Sequence, residues 1–155
     1  MKNSIEKYSP WIGLISRLIL GGVLLLAGYL KAGALDKSQM AVRAYEILPI
    51  GVANFLGIVL PYVEITIGIL LIIGAFVRYM AFAGGVIMFI FIIAISQAWA
   101  RGLTIDCGCF GGGGQVAASE TKYLPEIVRD AGLVLLSLWL IRYPVTRFSL
   151  DKSKN

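Results

Sequence analysis

Cys107 and Cys109, separated only by Gly108, are the two cysteines of a 155-residue chain that has no histidine. Two sulfurs at this spacing can close a small, strained disulfide ring, and Gly108 relieves its backbone because glycine adopts conformations closed to other residues. A strained, exposed disulfide is the kind that exchanges readily with other thiols. Attack begins from a thiolate. The adjacent Asp106 is placed to take or give the proton, and because its negative charge opposes a thiolate, a cation such as Arg101, Lys122 or Arg129 would have to offset it. Two other uses of the pair compete. A structural disulfide across one residue closes so small a loop that its entropic benefit is slight. A metal is not expected, because two thiolates without histidine do not complete the usual four-ligand zinc shell unless a second chain or carboxylates contribute.

The chain that carries this pair is 58% hydrophobic and 15% charged, with a mean hydropathy of +0.82, whereas a soluble domain has roughly a quarter of its residues charged. Its apolar residues fall into four blocks, at about 11–30, 53–76, 77–98 and 124–143, each near the ~20 residues that cross a bilayer as a helix. The expectation is an all-α, integral-membrane four-helix bundle forming one domain over residues 1–155. The first block is longer than the ~7–15-residue core of a signal peptide and contains Arg17, so it reads as a retained helix. Ser9 and Pro10 are suited to start it. Between the first two spans, Met40, Ala41, Ala44, Tyr45 and Leu48 recur at helical spacing until Pro49 and Gly51, which predicts a short amphipathic helix at the membrane interface. Residues 74–78 join the second and third spans as a tight hairpin. The polar stretch from Arg101 to Lys122, with Gly111 to Gly114 consecutive, carries the cysteines.

Helical spacing puts Gly13, Arg17, Gly21, Leu24, Gly28 and Lys31 on one face of the first span, and Gly57, Pro61, Glu64 and Gly68 on one face of the second. Small residues allow membrane helices to approach closely, so these faces should meet. Pro61 removes the backbone bond to the Gly57 carbonyl and leaves an acceptor in the interior. An unpaired carboxylate at the depth of Glu64 is costly, and both an ion pair with Arg17 or Lys31 and a part in proton transfer answer that cost. In the last span the uninterrupted apolar part, residues 131–143, is too short for a hydrocarbon core of about 30 Å. The helix must begin near Leu124 or Pro125, which draws Arg129 and Asp130 toward the membrane beside the cysteines, facing protein or water.

The formal charge of +5 bears on membrane orientation and calls for no nucleic-acid partner. Lys2, Lys7, Arg78, Arg142, Arg147, Lys152 and Lys154 share the face of the two termini; Lys31, Lys37, Arg43, Arg101, Lys122 and Arg129 lie on the other. Taken with the juxtamembrane setting of the first group, this places both termini in the cytoplasm of a cell inner or plasma membrane. The cysteine loop is then extracytoplasmic, where disulfides persist.

Arg17 in a Leu-Gly-rich helix ending at Lys31, Tyr45 with Leu48-Pro49, Pro61 with Glu64, Arg101-Gly102, the run Asp106-Cys107-Gly108-Cys109-Phe110-Gly111 and the pair Arg129-Asp130 together resemble the MauE/DoxX family of redox-associated membrane proteins. The resemblance implies a four-helix membrane protein working with thiol-disulfide partners, as do methylamine-utilisation members associated with maturation of a disulfide-rich dehydrogenase. The expected function is exchange between the Cys107–Cys109 pair and an extracytoplasmic thioredoxin-like protein on a separate chain. Electrons would pass to or from a membrane quinone in a pocket lined by Glu64 and Arg17. Cys107, Cys109 and Asp106 would do the chemistry; Glu64, Arg17, Lys31, Arg101, Arg129 and Asp130 would support it or move protons. Two alternatives stay open. One is a scaffold or maturation factor with a structural disulfide. The other is a small transporter, against which the lack of a paired repeat argues unless the chain oligomerises.

Overall fold

A computed structural model describes residues 2–110 and 112–150; Gly111 of the glycine run, and Lys152 and Lys154 of the charge distribution, lie outside them. Five α-helices follow in order: α1 (Lys2–Ala32), α2 (Leu35–Ala44), α3 (Ile50–Ile73), α4 (Val77–Ala100) and α5 (Tyr123–Arg142). The only strands among the described residues are β1 (Ile105–Asp106) and β2 (Gly114–Gln115), an antiparallel ladder inside the loop between α4 and α5. The chain is therefore all-α apart from this ladder, and α1, α3 and α4 are long and apolar enough to cross a membrane. Ser9 and Pro10, expected from their types to start α1, do not: the helix already runs from Lys2, with Pro10 inside it. The proline removes one backbone donor, and its own carbonyl accepts the Arg147 N–H at 3.2 Å from the C-terminal segment.

Two helix pairs make the body, α1 with α3 and α4 with α5. The α1–α3 seam is made of the small residues that the spacing singled out. A side chain at Gly21 would press on the Gly68 carbonyl and Leu71, and one at Gly28 would strike the Pro61 carbonyl and the Ile65 backbone. Leu20, Leu24, Leu71, Ala81, Met88 and Leu140 fill the centre. Across the other seam, the Ser137 hydroxyl donates to the Ala81 carbonyl at 2.6 Å. Gly74, at φ 78°, ends α3 with paired bonds from Gly74 N–H to Leu71 O and from Ala75 N–H to Leu70 O, which is how a left-handed glycine satisfies the last carbonyls of a helix. Phe55, Phe82, Phe89 and Leu135 point outward and are more than half exposed, as lipid-facing side chains would be.

In the short helix α2, which falls between the first two spans, the residues that pack inward are small rather than apolar: Ser38 is buried against α3 and Ala41 under the glycines of the cysteine loop, while Met40 and Leu48 remain exposed. The Ser38 hydroxyl donates to the Gly57 carbonyl at 2.7 Å, the acceptor that Pro61 leaves without a helical partner. Gly57 permits the approach, since a side chain there would collide with the Gln39 backbone.

Arg17 also departs from expectation. It is buried at the end of the bundle away from the cysteines, donating to Thr146 Oγ1 at 2.9 Å and to the Phe148 carbonyl at 3.3 Å. With the Ser149 hydroxyl donating to the Gly74 carbonyl at 2.8 Å, it fastens the C-terminal segment across the α3–α4 turn. Its hydroxyl partner is 129 residues away in sequence and its Nε has no hydrogen-bond partner; it neither pairs with Glu64 nor reaches the cysteine loop.

Candidate functional site

The β1–β2 ladder pairs Ile105 with Gln115 and Asp106 with Gly114, so that the cysteines lie on the turn between the strands. Asp106 Oδ1 accepts the Gly108 N–H at 2.9 Å, the side-chain-to-backbone bond by which aspartate forms a turn. Gly108 sits at φ 70°, and a Cβ there would meet the Ala41 Cβ of α2. The Cys109 N–H donates to Cys107 Sγ at 3.2 Å. From α2, the Tyr45 hydroxyl donates to the Cys107 carbonyl at 3.1 Å. At the base of the loop the Tyr123 hydroxyl donates to the Leu103 carbonyl and accepts the Ile105 N–H, with its ring stacked on Trp99.

The pair, expected to be exposed, is not: Cys107 and Cys109, unbridged in this structure, are only 8% and 5% exposed. The loop packs its glycines down on α2, and this turns the sulfurs toward the bundle.

The two sulfurs have different neighbours. Cys107 lies against the carboxyl of Glu126, in the first turn of α5. Its thiol pKa is raised, first by the bond to Cys109 and next by burial. Burial likewise raises Tyr45. Cys109 faces the guanidinium of Arg129, which also covers the Phe110 ring at 4.8 Å and bonds Asp130 Oδ1 at 2.8–2.9 Å. Asp130 is 1% exposed, and its other oxygen has no hydrogen-bond partner; it lines a small cavity with Cys109 and Phe91. Further in, Lys31 lies near enough for its charge to act on Asp130 and donates to both oxygens of Glu64 at 2.8 and 2.9 Å. The Lys31 ammonium sits 5.0 Å from the Phe91 ring centre. Arg129, Asp130, Lys31 and Glu64 thus form a file of alternating sign running inward from Cys109, in which each buried charge has an opposite neighbour, the condition under which burial is tolerable.

Of the residues singled out in the sequence, Cys107, Cys109, Asp106, Arg129, Asp130, Lys31 and Glu64 come together, while Arg17 does not. Arg101 stands beside the site rather than in it. It is exposed, donates to the Tyr45 carbonyl at 3.1 Å and pairs with Glu46 at 3.4 Å, so it holds the end of α2 that carries Tyr45. Asp106 is engaged in shaping the turn, and the carboxyl at the Cys107 sulfur is Glu126, which the sequence reading missed. Its signal was helical spacing: Glu126 stands three and four residues before Arg129 and Asp130, on the same face of α5. One ligand atom each from Asp106, Cys107 and Glu126 lie within 4.8 Å of one another, so the carboxylates that a metal would need beside a thiolate are at hand.

Three helices able to cross a bilayer, with a polar loop that seats two thiols on the end of their bundle, define a multi-pass membrane protein with a thiol site. The chain belongs to the MauE family: the family described as methylamine utilisation protein MauE matches residues 9–143, a stretch that takes in both helix pairs and the cysteine loop. No curated protein matches the chain, and no solved structure does.

Proposed function

We propose that this protein is a membrane thiol-disulfide oxidoreductase whose Cys107–Cys109 pair exchanges electrons with an extracytoplasmic thioredoxin-like protein on a separate chain, and with a membrane quinone as second partner. In this reading α5 is the fourth span, the termini are cytoplasmic, the loop is extracytoplasmic, and the kinship extends to DoxX proteins. The observation that carries it is the unequal setting of the two sulfurs: a carboxyl at Cys107 and a guanidinium at Cys109. Arg129 offers the positive charge that a Cys109 thiolate requires. That thiolate attacks one sulfur of the partner's disulfide and forms a mixed disulfide, and the partner's other sulfur leaves and takes a proton. Glu126 then removes the proton of Cys107, whose sulfur attacks Cys109. The Cys107–Cys109 disulfide forms, the intermolecular bond breaks, and the partner leaves as a dithiol. Electrons and protons balance, with one dithiol oxidised for one disulfide reduced; thiol-disulfide exchange is reversible, and with a quinone as the oxidant of the pair the same steps run in reverse, the partner arriving as a dithiol and leaving as a disulfide.

Burial of both sulfurs favours a second reading, a non-catalytic scaffold or maturation factor in which the pair only stiffens the loop. Thiol trapping in membranes equilibrated over a series of dithiothreitol ratios separates the two. A pair that titrates reversibly and is reset by a thioredoxin-like protein supports the oxidoreductase. A pair that stays oxidised until strong reductant is present, with function retained after Cys109→Ser, supports the scaffold.

A further inference from the structure

Four groups able to hold a metal ion meet at the cysteine turn, three from the loop and one from α5. One donor atom each of Asp106, Cys107 and Glu126 lies within 4.8 Å of the others, and the Cys109 sulfur lies within hydrogen-bonding reach of Cys107. Tetrahedral donors at zinc bond lengths of about 2.0–2.3 Å stand about 3.3–3.8 Å apart, so these groups converge with side-chain movements of about 1–1.5 Å. Outer bonds already hold most of them. The Gly108 N–H donates to Asp106 Oδ1, the Cys109 N–H donates to Cys107 Sγ, and the Arg129 guanidinium faces Cys109, which is how metal ligands are held from behind. Both carboxyl groups are half-buried and both sulfurs buried, so an ion enters from the carboxyl side.

The charges around the turn call for a cation independently of this geometry. Asp130 is 1% exposed, its Oδ2 has no hydrogen-bond partner, and it lines the cavity that Cys109 shares. Its charge and that of Asp106 both act on Glu126. Five groups that can carry negative charge, Asp106, Cys107, Cys109, Glu126 and Asp130, therefore surround the turn, with the Arg129 guanidinium as the cation in contact with them. Lys31 acts on Asp130 by charge alone, because both oxygens of Glu64 take its ammonium. Glu64 is 0% exposed beneath Lys31, and Arg17 is at the other end of the bundle, so the quinone pocket expected of those two residues does not form. A divalent ion held by two thiolates and two carboxylates leaves a net of two negative charges, which Arg129 offsets in part.

We propose that Asp106, Cys107, Cys109 and Glu126 form a tetrahedral site for a divalent cation of the zinc class, filled only when the cysteine pair is reduced. The condition set by the lack of histidine, that carboxylates contribute, is met by Asp106 and Glu126. Two thiolates select a borderline-soft ion over magnesium or calcium, and two carboxylates favour a divalent ion over copper(I). On binding, both S–H bonds break, two sulfur–metal bonds form and two protons leave to water. A disulfide offers no thiolate, so oxidation and metal exclude one another. The site stands on its donors alone, whereas its use rests on the thiol-disulfide reading: with the ion bound, Cys109 cannot attack a partner and Glu126 cannot take the Cys107 proton, so the ion keeps the pair reduced and idle.

The test uses purified full-length protein in lipid nanodiscs, reduced with a phosphine and desalted, with Co²⁺ as the probe. The expected result is one Co²⁺ per chain, with the sulfur-to-cobalt charge-transfer band and intense visible bands of a tetrahedral thiolate site, bleached by Zn²⁺ and absent from the disulfide form. Glu126→Gln and Asp106→Asn keep the side-chain shapes, and the second keeps an acceptor for the Gly108 N–H; each should weaken binding about ten- to a hundredfold. Cys107→Ser/Cys109→Ser should abolish the band. A reduced wild type without the band, weak octahedral bands from surface carboxylates, one ion per two chains, or unchanged affinity in both carboxyl variants would overturn the site. Exchange with the thioredoxin-like protein is read in parallel: bound Zn²⁺ should stop it and a chelator restore it, and exchange indifferent to bound Zn²⁺ would overturn the holding role. Exchange without metal binding loses only the site; metal binding with no exchange in metal-free protein loses the thiol-disulfide reading and leaves the site.

Discussion

Cys107 and Cys109 are two residues apart yet differently placed: Cys107 Sγ accepts the Cys109 N–H within the loop, and α5 gives each sulfur a different neighbour. Glu126 reaches one sulfur and Arg129 the other. Replacing the carboxyl that removes the Cys107 proton, Glu126→Gln, should slow resolution of the mixed disulfide about a hundredfold, in the range of a single general base. The measurement is the lifetime of the mixed disulfide with the thioredoxin-like protein on a non-reducing gel; unchanged resolution would remove Glu126 from the mechanism. The thiol of Cys107 and the phenol of Tyr45 both have raised pKa values in the folded protein. A raised pKa means that the folded state holds its proton more tightly than the unfolded state does. The resulting stability is fully present below the ordinary thiol value of 9.0 and is lost as pH rises above it. Thermal unfolding followed from neutral to alkaline pH should show a falling midpoint, and Cys107→Ser should shallow the fall. Cys107, Cys109 and the Arg129–Asp130 pair were legible in the sequence because few residues of their kind occur there. Glu126 was missed, because helical spacing places it on the face of Arg129 and Asp130 but does not say which carboxylate a folded loop will meet.

The helices show the same division. The α1–α3 seam could be read from the recurrence of glycine and charge at helical spacing, and Lys31 meets Glu64 on it. Breaking this pair from one side, with Lys31→Met, strands a buried carboxylate and should cost about 3–5 kcal/mol, whereas the double change Lys31→Met/Glu64→Leu should be far milder. Unfolding of both variants in the same detergent decides this, and equal losses would mean that the pair's charges matter little. The packing of α2 was not legible. Its small face, Ser38 and Ala41, looks featureless until it is known that Pro61 frees a carbonyl opposite it. Ser38→Ala should cost about 1–3 kcal/mol by leaving that acceptor unpaired, and the unfolding midpoint would drop accordingly. Gly108→Ala should disturb the loop more than the helices, since its positive φ and the Ala41 contact both exclude a side chain.

For the molecule as a whole, the multi-pass character followed from block lengths and hydropathy, and membership of the MauE family agrees with it. The fate of Arg17 did not follow, because its partner Thr146 is 129 residues away and only closure of the whole bundle brings them together. Orientation is directly testable. Lys37 and Lys122 are exposed near the cysteine loop and Lys7 is exposed near the N-terminus. A membrane-impermeant amine reagent applied to intact cells, or to spheroplasts where an outer membrane intervenes, should modify Lys37 and Lys122 and leave Lys7 unmodified until the membrane is opened. The reverse pattern would put the thiols in the cytoplasm and remove the extracytoplasmic partner.

The seating of Gly108 on Ala41 joins the cysteine turn to a helix that precedes it in the chain, while the charges beneath the sulfurs come from a helix made afterwards. During synthesis, therefore, the pair emerges before its surroundings are complete, and the nascent thiols are open to whatever oxidant or reductant bathes the newly inserted chain. Closure of α2 and α5 over them ends that openness. The order of the chain thus makes α5 the last element to cover the pair.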